Sequence, residues 1–347
     1  MQLHRRISDG EGATYINSAF NYVFLGVVSL LFWGAGYMES IGYPIYATAT
    51  STPIWEAVCR MSPSKEITYL SGVLLLFGGA FLIHQANYML IIIRKKTYLP
   101  FLLYIIFISS STVFFPLTPA SVGIFCLIFA MSQTLSTYNN PRGILGIYNA
   151  ALLIGIGSLL WIHILWFVPV FWWGMYSFKS LSLRTLLASL IGLGTVYWFL
   201  LGWCVFTDDY RYFLPSFTLL GKIALPHLSE IRLIDWLHLL CLLILALATV
   251  LHIIVNEYEE NIRTRHFLFF IIAIGLVSFG FAIIYEQEAE KFLQVSCMPL
   301  AILAAHFFST SRMKRIHWMY IFFISLFLLL SILRSSWGFL PPDIWGD

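Results

Sequence analysis

The chain has 347 residues, 59% apolar and 11% charged, with a net charge of +3, whereas a soluble domain carries about a quarter of its residues charged. That much apolar surface exceeds what a soluble core hides, and the basic residues sit in short clusters at the ends of apolar runs, not in a stripe that tracks phosphates. The composition excludes a soluble enzyme and a nucleic-acid partner; it predicts an all-α, polytopic transmembrane helical bundle, one integral membrane domain over residues 1–347 solvated by membrane lipids.

In chain order, residues 1–17 are polar. The first apolar run, 18–38, is long and lacks the small-residue cleavage site of a secretory signal, so it reads as a retained first span. An outer loop over 39–68 follows. Within it, Thr52-Pro53-Ile54-Trp55-Glu56-Ala57-Val58 has an N-cap Thr and Pro at the first helical position, which predicts a short helix lying on the membrane surface. Span 2 covers 69–93 and ends at Arg94-Lys95-Lys96. Span 3 covers 98–115, and Pro116-Leu117-Thr118-Pro119 is a tight turn into span 4, 120–137. Asn139-Asn140-Pro141-Arg142-Gly143 then breaks the chain.

Residues 144–177 hold no charge at all. One helix of that length would reach about 50 Å, too long for a ~30 Å hydrocarbon core. Two short spans joined near 163–168 fit better, and Gly155-Ile156-Gly157 offers a site of close helix packing. Span 7 covers 186–206 and contains Gly192 and Gly194. A second outer loop runs over 207–233. Spans 8 to 11 cover 234–256, 267–285, 292–308 and 317–336, giving about eleven in all.

Alternating the connections between two sides sorts the charges. Thirteen of the 20 Lys and Arg fall on one side, in the clusters at residues 5–6, 94–96, 142, 179–184, 263–265 and 312–315. That side is cytoplasmic by the positive-inside rule, which places the N-terminus inside, the C-terminus outside and the protein in an inner membrane. The acidic residues, not used in that choice, divide five inside and twelve outside. Trp and Tyr near span ends (Trp33, Trp55, Tyr69, Tyr98, Trp203, Trp236) fit an interfacial belt. The five Cys form no C-x-x-C pair and no zinc spacing with His, and a structural disulfide is not expected.

The candidate chemistry lies on the acidic outer rim. Glu39 closes span 1, Glu56 sits in the surface helix, and Asp208-Asp209 stand at the mouth of span 7. These four are the expected catalytic carboxylates, because a carboxylate at a membrane boundary can act as general base or hold a divalent metal. Asp235 and His238 share a helical face at the mouth of span 8 and converge with Asp208-Asp209 if the two spans are neighbours. Arg211 and Lys222 are the cations available for a phosphate. Near the inner end of span 2, His84, Gln85, Asn87 and Tyr88 form a polar run; His84 and Asn87 are candidates for a lipid headgroup or a proton path, against the plainer reading of interhelical hydrogen bonding. His163, His252, Gln294 and His306 are scattered singly and read as packing residues. Outer-loop carboxylates, likewise, are most simply solvated loop charges. No P-loop, G-x-S-x-G, H-E-x-x-H or dinucleotide fingerprint is present.

Two resemblances can be stated on these features. Tyr98-Leu99-Pro100 with Tyr104 after a basic turn, Asn139 to Gly143 before the charge-free double span, and the Gly192/Gly194 span resemble a family of uncharacterised polytopic inner-membrane proteins of Bacteroidota, which brings no known activity. The layout of a first span, an outer loop with an early acidic residue and a surface helix, then many spans with short paired ones, resembles GT-C type glycosyltransferases. That resemblance implies a polyprenyl-phosphate-linked glycan as donor and places the base at Glu39 or Glu56, although the first outer loop lacks that superfamily's acidic pair and no soluble C-terminal domain follows. The expected function is therefore envelope biogenesis by sugar transfer at the outer face, with Asp208 and Asp209 positioning a metal or the acceptor and Arg211 or Lys222 clamping the donor phosphate. The alternatives are a lipid or small-amphiphile flippase without catalysis, working through the Gly pairs and the polar face of span 2, and a non-catalytic membrane scaffold.

Overall fold

The computed structural model describes residues 16, 18–40, 51–61, 64–110, 117–210, 213–221, 223, 233–311 and 315–336; for 35–40, 233–235 and 286, among others, it describes the backbone alone. Among the described residues there are thirteen α-helices and no β-strand. They are α1 (Ala19–Ser40), α2 (Pro53–Arg60), α3 (Lys65–Leu90), α4 (Leu99–Ser109), α5 (Pro119–Leu135), α6 (Ile144–Leu160), α7 (Val168–Ser177), α8 (Leu183–Thr207), α9 (Leu214–Thr218), α10 (Leu233–Val255), α11 (Ile262–Ile284), α12 (Ala289–Thr310) and α13 (Ile316–Ser336). Five of them, α3, α8, α10, α11 and α12, are long and apolar enough to cross a membrane, and α1, α4, α5, α6 and α13 carry shorter apolar stretches. The protein is a multi-pass membrane protein.

Local chemistry sets the helix boundaries. Thr118 and Ser182 each open a helix with a reciprocal capping box, to Ser121 and Thr185. Helix α3 stops at Ile91, whose φ of 51° is left-handed, and the Asn87 side chain accepts the Ile93 N–H at 2.9 Å across that turn. The uncharged stretch 144–177 divides as expected into two helices, joined by a 3-10 turn over Ile162–Phe167. The second of them, α7, has ten residues and so reaches about 15 Å, half of a ~30 Å core. It is a half-helix, not a full span.

Contacts between connections separate two faces. On the first, the Thr52 hydroxyl lies 2.9 Å from the Leu159 carbonyl and 3.0 Å from that of Leu160, and Tyr285 donates to the Leu220 carbonyl at 2.6 Å. On the second, Arg94 donates to the Glu259 carbonyl at 2.8 Å, Arg263 to the Leu90 carbonyl at 3.1 Å, and the Asn139 N–H to the Phe178 carbonyl at 2.8 Å. This is the alternation read from the charges.

Helix α12 forms the axis of the bundle. Its apolar window is 94% buried, packed by α4, α5, α10 and α11. The outer helices instead expose large apolar side chains, among them Leu74, Phe199, Leu247 and Leu276; lipid is the solvent such surface needs. Small residues bring α6 and α8 together: a Cβ on Gly192 would stand 2.6 Å from the Tyr148 carbonyl oxygen, and one on Gly155 would stand 2.9 Å from Val196 Cγ2.

Candidate functional site

The predicted site residues whose side chains are described lie on separate elements: Glu56 on α2, His84 and Asn87 on α3, Asp208 and Asp209 at the end of α8, and His238 on α10. Helix α2 forms as expected, with the Thr52 side chain accepting the Trp55 N–H, but Trp55 is buried. The helix therefore docks by Trp55 against protein, at the end of α6. Glu56 pairs within α2 to Arg60 at 3.2 Å, both side chains well exposed, a contact that contributes little. Glu39 lies in the last turn of α1 and Asp235 in the first of α10, their side chains outside the described residues, as are Arg211 and Lys222 entirely. Asp208 is exposed and takes the left-handed C-cap of α8 (φ 51°), a position that Asp tolerates better than most residues. The Asp209 N–H bonds the Cys204 carbonyl at 3.0 Å, closing the same turn.

Three further candidates lie within helices α3 and α10. His238 is buried with Nε2 2.9 Å from Ser110 Oγ, joining α10 to the end of α4. His84 stacks on Tyr98 at 4.6 Å, while Tyr88, one turn on, is exposed. Asn87 closes the α3 turn, as above. Interhelical bonding accounts for His238 and turn bonding for Asn87, whereas His84 Nδ1 is buried with no hydrogen-bond partner.

What does gather on the first face is a set the outer-rim reading passed over. Glu288 was expected among the solvated acids, yet its side chain is only 1% exposed. Its Oε2 accepts the Trp161 indole N–H at 2.6 Å and its Oε1 accepts from Lys291 Nζ at 2.7 Å. His163 Nδ1 stands 3.9 Å from Oε2 and has no hydrogen-bond partner. The imidazole packs edge-on to Tyr285 at 4.9 Å and lies near the backbone of Leu219. Burial pushes the His163 pKa below its ordinary value, and Glu288 opposes that shift. A depressed pKa leaves the ring neutral at neutral pH, with a nitrogen free to accept a proton.

The helix break builds this cluster. Trp161 and His163 can meet residue 288 only because α6 stops at Leu160 and turns through the 3-10 segment. Thr52 holds the last carbonyls of α6, and the 219–221 turn of the second outer loop covers His163 and Tyr285. Described residues of both first-face loops, Thr52 and the 219–221 turn, therefore lie near the place where α12 begins. A buried carboxylate held by a cation and an indole, beside a neutral imidazole, is an acid–base arrangement. Among the described residues no three His, Cys, Asp or Glu side chains converge as metal ligands would.

A second feature lies a turn and a half further along α12. Gln294 is bonded to Thr118 at 3.2 Å and lies 3.4 Å from Ser121. It borders a crevice lined also by Trp33, Tyr69 and Tyr104 that holds about 20 Å³ of free space, room for one water. No protein-family model, no curated protein and no solved structure matches this chain.

Proposed function

We propose that this membrane protein transfers a sugar from a polyprenyl-phosphate-linked donor at its first face, on the outer side of an inner membrane, as part of envelope biogenesis. One observation carries the reading: a buried carboxylate, Glu288, sits between Lys291, Trp161 and His163 where α12 begins, near described residues of both first-face loops and the broken α6–α7 helix. We place the base at Glu288 instead of Glu39 or Glu56, because Glu288 is a buried carboxylate beside an imidazole, whereas the Glu56 side chain is exposed. Glu288 takes the proton of the acceptor hydroxyl as its oxygen bonds the anomeric carbon. The bond from that carbon to the donor phosphate breaks, and Lys291 meets the charge left on the phosphate. The 219–221 turn must lift from His163 for substrate to enter. Asp208, Asp209, Arg211 and Lys222 flank that turn in sequence and stand as the loop residues that would meet the acceptor or the donor headgroup.

The test is transfer from a polyprenyl-phosphate sugar by the purified protein in liposomes. Glu288→Gln should lower turnover by at least about a hundredfold, as removal of a general base does, while leaving the folded protein intact. Full activity in Glu288→Gln would discard the reading.

The half-helix α7 favours a second reading, a flippase for the same class of lipid. Discontinuous helices that meet inside a bundle form binding sites in transporters. Movement of a labelled lipid across vesicles with no chemical turnover would select it.

A further inference from the structure

At the other end of α12, on the second face, stands another buried carboxylate–histidine group. Glu260 closes the loop between α10 and α11, its side chain 11% exposed. Its Oε2 lies 3.3 Å from Arg94 Nε and its Oε1 lies 3.4 Å from His306 Nε2 of α12, a ring only 3% exposed. His252 of α10 packs edge-on to Phe307 at 4.9 Å. These distances are long for charge-assisted hydrogen bonds, and Glu260 Oε2, His306 Nε2 and His252 Nδ1 are all buried with no hydrogen-bond partner. Glu260 and His306 thus meet their partners only through long ion pairs, and His252 Nδ1 has none, an arrangement that calls for an explanation.

We propose that Glu260, His306 and His252 form a proton-binding latch that fastens the 256–261 loop to the central helix. When His306 is protonated it gives Glu260 a second cation beside Arg94, and the loop is held. When His306 is neutral, Arg94 alone remains. The other charges facing the group come from each neighbouring element. They are Arg94 on the α3–α4 turn, Glu257 and Glu259 in the loop, and Arg263 and Arg265 at the start of α11. Glu257 is taken up by Arg265 at 2.9 Å, and Arg263 reaches back to the Leu90 carbonyl. The α3–α4 turn and the 256–261 loop are therefore clasped from both sides by arginines, with an imidazole as the group that reaches Glu260 from α12. Glu260 itself is held below the usual carboxylate range, by His306 first and then by Arg94, against the opposing effect of burial.

This inference does not rest on sugar transfer; it concerns the opposite face and is read without substrate. The experiment is backbone hydrogen exchange of the full chain in nanodiscs between pH 5.5 and 8.5, corrected for intrinsic exchange. Protection of residues 256–261 in the native protein should fall about tenfold as pH rises through the histidine range, the worth of one hydrogen bond to a charged group. His306→Gln and, separately, Glu260→Gln should each flatten that dependence while amides in the middle of α12 stay protected. A native protein without the pH dependence, or a folded variant of either kind that keeps it, would overturn the latch.

Discussion

Trp161 donates its indole N–H to Glu288 Oε2 at 2.6 Å, across 127 residues of sequence. The bond joins the point where α6 breaks to the point where α12 begins. A tryptophan one residue past a helix end could have stayed in the interfacial belt; here the break turns it inward onto a carboxylate. The same carboxylate holds Lys291 on its other oxygen, so the group is fully engaged while closed.

The Glu288–Lys291 pair is asymmetric in what its loss costs. Lys291→Ala leaves a carboxylate buried without its cation and should destabilise the protein by roughly 3–5 kcal/mol, whereas the double change Glu288→Gln with Lys291→Met should cost markedly less. Unfolding of the detergent-solubilised protein measures both. Equal losses in the single and double variants would mean the pair is not buried as described.

The α6–α8 crossing can be probed with two neighbouring glycines. Gly192→Ala would drive a Cβ to 2.6 Å from the Tyr148 carbonyl oxygen, while Gly194 has nothing within 4 Å of the same position. Gly192→Ala should cost about 1–3 kcal/mol by overpacking. Gly194→Ala should be neutral or stabilise by up to about 1 kcal/mol through helix propensity. Matching effects at the two sites would contradict the packing.

Thr52 serves α2 and α6 at once, capping the Trp55 N–H and bonding the last carbonyls of α6. Thr52→Val removes the hydroxyl at nearly constant volume and should cost about 1 kcal/mol, read as faster proteolysis or exchange in 52–61. Thr52→Ser should restore most of the protection.

His163 sets a pH dependence of known sign. Its folded pKa lies below its unfolded value because burial disfavours the cation. The unfolded chain therefore binds the proton more readily, and stability falls as pH drops below about 6.5 towards the folded pKa. Glu260 works in the same direction at lower pH: its depressed pKa contributes stability above about 4.3 that is lost on acidification. Thermal unfolding of native protein and His163→Gln from pH 7.5 to 5.5 should show a shallower slope in the variant.

Hydropathy carried most of the architecture. The Thr52-Pro53 cap and the division of 144–177 into two helices follow from residue type, because helix ends and lipid burial are local matters, whereas α3 ends at Leu90, short of the expected 93, where Asn87 caps the turn. The site was less legible. His163, His252 and His306 look isolated along the chain, and Glu288 looks like one more outer acid beside Glu286 and Glu290. Their partners are supplied by helix packing, which hydropathy does not encode. One signal was available: an uncharged stretch too long for one helix and too short for two full spans demanded a break, and Trp161 and His163 are the polar-tipped residues at that break.

The most direct test of the account is the lipid-linked glycan profile of native-host cells in which this protein is replaced by Glu288→Gln at normal membrane levels. The account predicts accumulation of a polyprenyl-phosphate-linked sugar to the level seen when the protein is absent. An unchanged profile, in cells whose profile does respond to loss of the whole protein, would contradict it.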